Sequence, residues 1–364
     1  MITQLPDNVK NNLPKHAQEI YKEAFNSAEA QRSSTARRTA PTVSPGAPSR
    51  TSTRRTTKAT GSLKAADTPY RARGSGPMSS TRRFGETRAP FGADILTPLA
   101  GRSNDLLRAG MVRLFSGVLP LYVVNEYPKS GGTWVGQMLG RALGVPFPRN
   151  SFPALRPSIM HGHYLNPWGM KNVVVVWRDG RDVMVSWYHQ RLFIHEWRNE
   201  PQVRRARREL SFRDYNDVYE NLPAFIEYAF TESHSRRFMW ADPSPRFTWT
   251  DFVRRWQARE DAVHARYEDL HRGAAGQLRR IVSELTGDRL RPEEAAAIAD
   301  EFSFERQSGR KAGDEDRKSF LRKGVVGDWR GAFSPKAREV FDRHAGEELI
   351  LLGYEKDRSW AAHG

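Results

Sequence analysis

The residues with the clearest chemical potential are Tyr127-Pro128-Lys129-Ser130-Gly131-Gly132-Thr133-Trp134. They separate an apolar run, Leu121-Tyr122-Val123-Val124, from a helix-patterned run, Val135 to Leu143. A strand, a tight loop and a helix in that order aim backbone N–H groups and a helix N-terminus at one point, an arrangement suited to phosphate. Lys129 adds a mobile cation at the same place. The GxxxxGK[ST] spacing of a Walker A loop is absent.

A second segment, Val173 to His189, begins with four valines and Trp177, the pattern of a strand buried on both faces. Arg178 stands at its C-terminal end, where α/β sheets bind ligands. Gly180 marks a turn, and Ser186 lies about two helical turns further on. A third segment, Phe320 to Trp329, carries Arg322-Lys323-Gly324: two cations and a glycine that allows close backbone approach.

The three segments resemble, in order, the motifs of sulfotransferases that use 3′-phosphoadenosine 5′-phosphosulfate (PAPS), of the cytosolic type. The loop is similar to YPKSGTTW, with Gly132 where threonine is usual. The second is similar to R[ND]P[RK]DVxVSxYH, with Gly180 in place of proline. The third is similar to RKGxxGDW. The resemblance implies that Lys129, Ser130, Gly131, Gly132, Thr133 and Trp134 hold the 5′-phosphosulfate end and the adenine. It implies that Arg178, Ser186, Arg322, Lys323 and Gly324 hold the 3′-phosphate. Tyr267, in Arg266-Tyr267-Glu268-Asp269-Leu270, matches a YED[LM] phrase whose tyrosine borders the adenine. PAPS is the implied cosubstrate, and the implied fold is a P-loop-like α/β three-layer sandwich, a central parallel sheet flanked by helices.

Sulfuryl transfer needs charge stabilisation at the leaving group and a base for the acceptor proton. Lys129 is the candidate for the first task, and in the family the serine matching Ser186 also holds this lysine before the acceptor binds. The base candidate is His163, in Ser158-Ile159-Met160-His161-Gly162-His163-Tyr164, which aligns with the family's [KR]THxP; strand alternation puts His161 on the same face and makes it a rival. The His-x-His pair lacks a third ligand at a familiar sequence distance, so no metal is expected.

The acceptor is less specified. The stretch 189–260 is dense in aromatics, among them Trp197, Phe225, Tyr228, Phe238, Trp240, Phe247, Trp249, Phe252 and Trp256, which suit either an apolar pocket or a core. Arg204-Arg205-Ala206-Arg207-Arg208-Glu209 suits a solvated helix face or an anionic acceptor. A small-molecule, lipid or sugar hydroxyl or amine is the expected acceptor, with no specific nucleic acid. The family's dimerisation phrase, KxxxTVxxxE, would fall on Arg330 to Glu339, where only the basic start and Glu339 remain. Two rival readings are a nucleotide or small-molecule kinase on the same fold and a non-enzymatic basic module.

These residues must be positioned by residues 91–364, where short apolar runs alternate with amphipathic segments. Strands are expected at Leu121–Asn125, Ser158–His163, Asn172–Trp177 and Ala262–Tyr267. A last helix is expected to start at Ser334-Pro335 and stop at Gly353. The remaining quarter of the 364 residues differs in composition. Residues 32–90 hold 13 Lys/Arg against 2 Asp/Glu, much of the chain's net charge of +16. Rich in Ser, Thr, Pro, Gly and Arg, they read as a disordered basic linker. Residues 1–31 read as two short helices opened by Pro6 and Pro14 and are similar, over residues 5–27, to the N-terminal half of ChaB-like proteins, a family linked to cation transport. Met78 is a second expected starting point for the enzyme itself. The chain has no cysteine, which excludes disulfides and thiol catalysis. No apolar run reaches the roughly 18–20 residues of a membrane helix, and no secretory signal opens the chain; a cytoplasmic location is expected.

Overall fold

The computed structural model describes residues 107–149, 156–195, 199–231 and 247–362. The basic linker and the ChaB-like segment lie outside the described residues.

Four strands form one parallel sheet in the order β2-β1-β3-β4: β1 (Leu121–Glu126), β2 (Ser158–Gly162), β3 (Val173–Trp177) and β4 (Val263–Arg266). All four are where the apolar runs place them. β1 and β3 are buried almost throughout, as strands covered on both faces must be. Their register puts Glu126 beside Val176 and Asn125 beside Gly162, so the C-terminal ends of β1, β2 and β3 form one rim.

Helices cover both faces. A helical segment, α1 (107–115), precedes β1. One face is packed by α2 (Gly132–Ala142), α7 (Tyr267–Thr286) and α8 (Pro292–Glu301), whose Met138, Leu139, Leu278, Ile281 and Ile298 meet Val124, Val174 and Val176. The alternate residues of β3 face the other way, where Trp177 meets Phe252 edge-on at 5.5 Å. That layer contains α3 (Gly180–Leu192), α5 (Val218–Thr231), α6 (Trp249–Trp256) and α11 (Pro335–Leu351); α4 (Glu200–Glu209), α9 (Phe304–Ser308) and α10 (Trp329–Ala332) complete the described helices. The result is a three-layer α/β sandwich.

Local chemistry explains the boundaries that matter here. Ser334 caps α11 by accepting from the Ala337 N–H, with Pro335 at the first helical position, and the left-handed Gly353 ends that segment. Thr248 and Asp251 close a reciprocal cap on α6. Tyr267 opens α7 instead of closing β4, because the acidic pair Glu268-Asp269 suits a first helical turn. The aromatics of 189–260 prove mostly structural: Phe225, Phe247, Trp249, Phe252 and Trp256 are buried. Trp197, Phe238 and Trp240 lie outside the described residues. Among the described residues no helix is long and apolar enough to cross a membrane.

Candidate functional site

The loop between β1 and α2 takes two left-handed residues, Lys129 at φ 75° and Gly131 at φ 100°. Glycine adopts that conformation freely, whereas lysine does so only when its surroundings hold it. The hold on Lys129 is a guanidinium: Arg178 Nη1 donates to its carbonyl at 3.0 Å. The ring of Tyr267 lies against Gly131, so close that a Cβ there would come within 2.6 Å of Tyr267 Cδ2. These constraints turn the first amides of α2 toward the rim of the sheet.

Arg178 is the hub of the site. Its side chain is 12% exposed, yet its partners are sparse. Besides the Lys129 carbonyl, Nη2 reaches the Val325 carbonyl at 3.5 Å and Asp182 at 4.0 Å, and the guanidinium rests on the Tyr267 ring at 4.4 Å. Its Nε is buried with no hydrogen-bond partner. A buried, unpartnered donor on a cation is what an anion site requires. Through this one residue the loop, the end of β3 and the 322–325 segment meet.

The third segment is pinned from below by Asp182 on α3, whose two oxygens accept from the backbone N–H groups of Gly327 (2.7 Å) and Trp329 (3.0 Å). Asp328 holds the two cations of the triple: Lys323 Nζ donates to it at 2.6 Å, and Arg322 bonds to it and to Glu315. Gly324 is left-handed (φ 64°), and His271 donates to its carbonyl at 2.9 Å. Trp134 and Tyr267 meet edge-on at 5.9 Å, with the Trp134 indole N–H buried and unpartnered. The two rings therefore border the same space as Arg178.

Lys129 Nζ lies over the Phe320 ring at 4.3 Å, so the loop lysine and the third segment also touch. Loss of hydration and the neighbouring Arg178, Arg149 and Arg322 push its pKa down to about 7, against the opposing pull of Glu126. Ser186 is half-buried on α3, and among the described residues no hydrogen bond joins it to Lys129. Phe320 and Arg149 were not singled out in the sequence. Asp182 was visible only as part of a motif, with no signal of its task.

The histidines lie at the end of β2. His161 is buried and His163 half-buried, their rings 5.2 Å apart. Both are held by one residue that sequence reasoning missed, Glu126. Its carboxylate accepts from His161 Nε2 at 2.9 Å and from the Gly132 N–H at 2.5 Å, and its backbone carbonyl accepts from His163 Nδ1 at 2.9 Å. Burial pushes the Glu126 carboxyl up, but the His161 hydrogen bond, both imidazoles and the Gly132 amide outweigh it, so the net shift is downward. Burial and the nearby His161 hold His163 down, to about 4, with Glu126 pulling the other way. Glu126, His161 and His163 bring one ligand atom each within 4.8 Å of one another, the third partner that the sequence pattern lacked. The Glu126 carboxylate is bonded to His161 Nε2 and the Gly132 N–H, and the Glu126 carbonyl to His163 Nδ1, so the three residues form one hydrogen-bonded network.

The sulfotransferase domain family matches residues 170–353, just over half of the chain. The chain belongs to the sulfotransferase family. The match spans Arg178, Ser186, Tyr267 and the Arg322-Lys323-Gly324 triple, while the 127–134 loop lies upstream of it and is joined to them by the structure. Sulfotransferase 1B1 of Mus musculus is 25% identical over 268 residues, covering 60% of this chain and 79% of the relative. The amine sulfotransferase of Oryctolagus cuniculus is 24% identical over 273 residues, covering 62% and 79%. Among solved structures, mouse sulfotransferase SULT7A1 complexed with PAP is similar at 20% identity and a TM-score of 0.49, over 69% of this chain and 94% of that one. The ChaB family matches residues 5–42.

Proposed function

We propose that this sulfotransferase moves the sulfuryl group of PAPS to a hydroxyl or amine of a small-molecule, lipid or sugar acceptor. The observation that carries the reading is Arg178: one buried guanidinium ties together three sequence-distant segments and keeps an unpartnered Nε among them. That cation, with the N-terminus of α2 on one side and the segment bearing Lys323 on the other, suits a ligand with anions at two ends. The PAP named with the SULT7A1 structure has that chemistry.

Lys129 and the loop residues Ser130 to Trp134 would hold the 5′ end, with the Gly132 N–H already given to Glu126. Arg178, Ser186, Arg322, Lys323 and Gly324 would hold the 3′-phosphate, with Trp134 and Tyr267 on either side of the adenine. When bound, PAPS supplies a sulfuryl group on a good leaving group. The acceptor oxygen or nitrogen forms its bond to sulfur as the bond from sulfur to the bridging oxygen breaks. Lys129, in its charged form, neutralises the charge that gathers on that bridging oxygen. His163 takes the acceptor proton. Its Nδ1–H is committed to the Glu126 carbonyl, so the tautomer leaves Nε2 as the acceptor atom. His161 has Nε2 spent on Glu126, which favours His163 as the base.

The deciding experiment is incubation with 35S-labelled PAPS and a panel of phenols, alcohols, amines, sugars and lipids. Label should pass to one acceptor class, and the 3′,5′-bisphosphate should bind in preference to ATP. Preferential binding of ATP would overturn the reading.

A further inference from the structure

Glu126 stands one residue before the loop, at the last position of β1, with its side chain fully inside the protein. A buried carboxylate at the mouth of an anion site is costly, since it opposes the ligand's own charge. Its surroundings explain its presence. It occupies the space above Gly132, where an added Cβ would meet Glu126 Cδ at 2.7 Å. The side chain missing from position 132 is thus replaced by a carboxylate arriving from position 126. That carboxylate holds the Gly132 amide and His161, and the carbonyl of the same residue holds His163.

We propose that Glu126 is a positioning residue for the transfer reaction, fixing the tautomer of His163 through its carbonyl and stabilising the imidazolium formed there through its carboxylate. The inference rests on the sulfotransferase reading for the reaction, but not for the histidine chemistry. When His163 gains the acceptor proton, a positive charge appears in a poorly hydrated place. The groups facing it besides Glu126 are His161 from β2 and Arg149 from the segment after α2, the latter a cation. Glu126 is the facing carboxylate, and its charge also acts on Lys129 and Arg149. Without it, the base would have only repulsive or neutral neighbours among these groups.

The test is Glu126→Gln, which keeps the shape and an acceptor oxygen but removes the charge, with Glu126→Asp as the charge-retaining control. Histidine ring signals, assigned with His163→Gln, are followed by NMR against pH in the free and the bisphosphate-loaded protein. The wild type should show His163 as the Nδ1–H tautomer. In E126Q its titration midpoint should fall by about one pH unit, kcat should fall roughly 10- to 100-fold, and bisphosphate affinity should stay level or tighten. E126D should recover most of the midpoint. An Nε2–H tautomer for wild-type His163, or a midpoint unmoved in E126Q, overturns the proposal, and both are readable in the free protein. Failure of the wild type to bind the bisphosphate would instead sink the sulfotransferase site while leaving the histidine result to stand by itself.

Discussion

At the scale of single residues, the tasks proposed for Lys129, His163 and Arg178 are separable. On the proposed mechanism Lys129→Ala should lower kcat about 10²- to 10³-fold. His163→Ala should lower kcat about 10²- to 10⁴-fold, in both cases with bisphosphate affinity changed far less. Arg178→Ala should do the reverse, weakening bisphosphate binding about 10- to 100-fold, the worth of one charge-assisted hydrogen bond. Calorimetry beside steady-state kinetics separates the two patterns. The pH dependence follows from Lys129. Its pKa of about 7 in the free protein means that the charged form is lost as pH rises through neutrality. Hence kcat/KM should fall above about pH 7. The bound anion favours the charged form, so the corresponding fall in kcat should lie at higher pH. Coincident profiles would mean that Lys129 is not the titrating group. Lys129 and Arg178 were legible in the sequence because their motifs are contiguous. Glu126 was not, because nothing local links it to two histidines more than thirty residues away.

At the scale of elements, Glu126 braces the first amide of α2 and Asp182 braces the amides of Gly327 and Trp329. Gly132→Thr, the residue usual in the family, should damage this loop, since the new Cβ runs into the Glu126 carboxylate. Stability in thermal unfolding should fall by roughly 1–3 kcal/mol, the range for overpacking. Adding Glu126→Ala to it should restore the fold while leaving His161 without its carboxylate. If Gly132→Thr alone were neutral, the two positions would not compensate each other. Asp182→Asn retains only one good acceptor for the two amides of Gly327 and Trp329. It should cost about 1–3 kcal/mol in urea denaturation and loosen the segment bearing Arg322 and Lys323, seen as weaker bisphosphate binding. The elements themselves were largely readable. Apolar runs with turn residues between them located all four strands, and Ser334-Pro335 located the start of α11. Tyr267 was misplaced by one element because a strand end and a helix start share one residue, and only the cap geometry separates them.

For the molecule as a whole, buried histidines set an acid limit. His163, His189 and His195 are held down to about 4, 3 and 4, with burial the leading cause in each. All three are neutral in folded and unfolded chains above about pH 6.5. Below that the unfolded chain takes up protons that the folded one refuses, so stability falls from about pH 6.5 down through the folded values. Urea midpoints at pH 7.5, 6.0 and 5.0 should decline in that order, and a flat series would show that these rings are hydrated. Deleting residues 1–90 should leave transferase activity intact, because every residue assigned to the site lies between 126 and 324. By itself the sequence determined the α/β class, the strand positions, the sulfotransferase motifs and the absence of thiol chemistry, since these are properties of contiguous runs and composition. Only the tertiary structure decided that Arg178 reaches both the loop at Lys129 and the third segment at Val325, and that Glu126 fills the space beside Gly132 and bonds two histidines. The physical reason is that sheet register aligns the ends of strands distant in sequence, and a hydrogen bond depends on that alignment and carries no mark in the order of the residues.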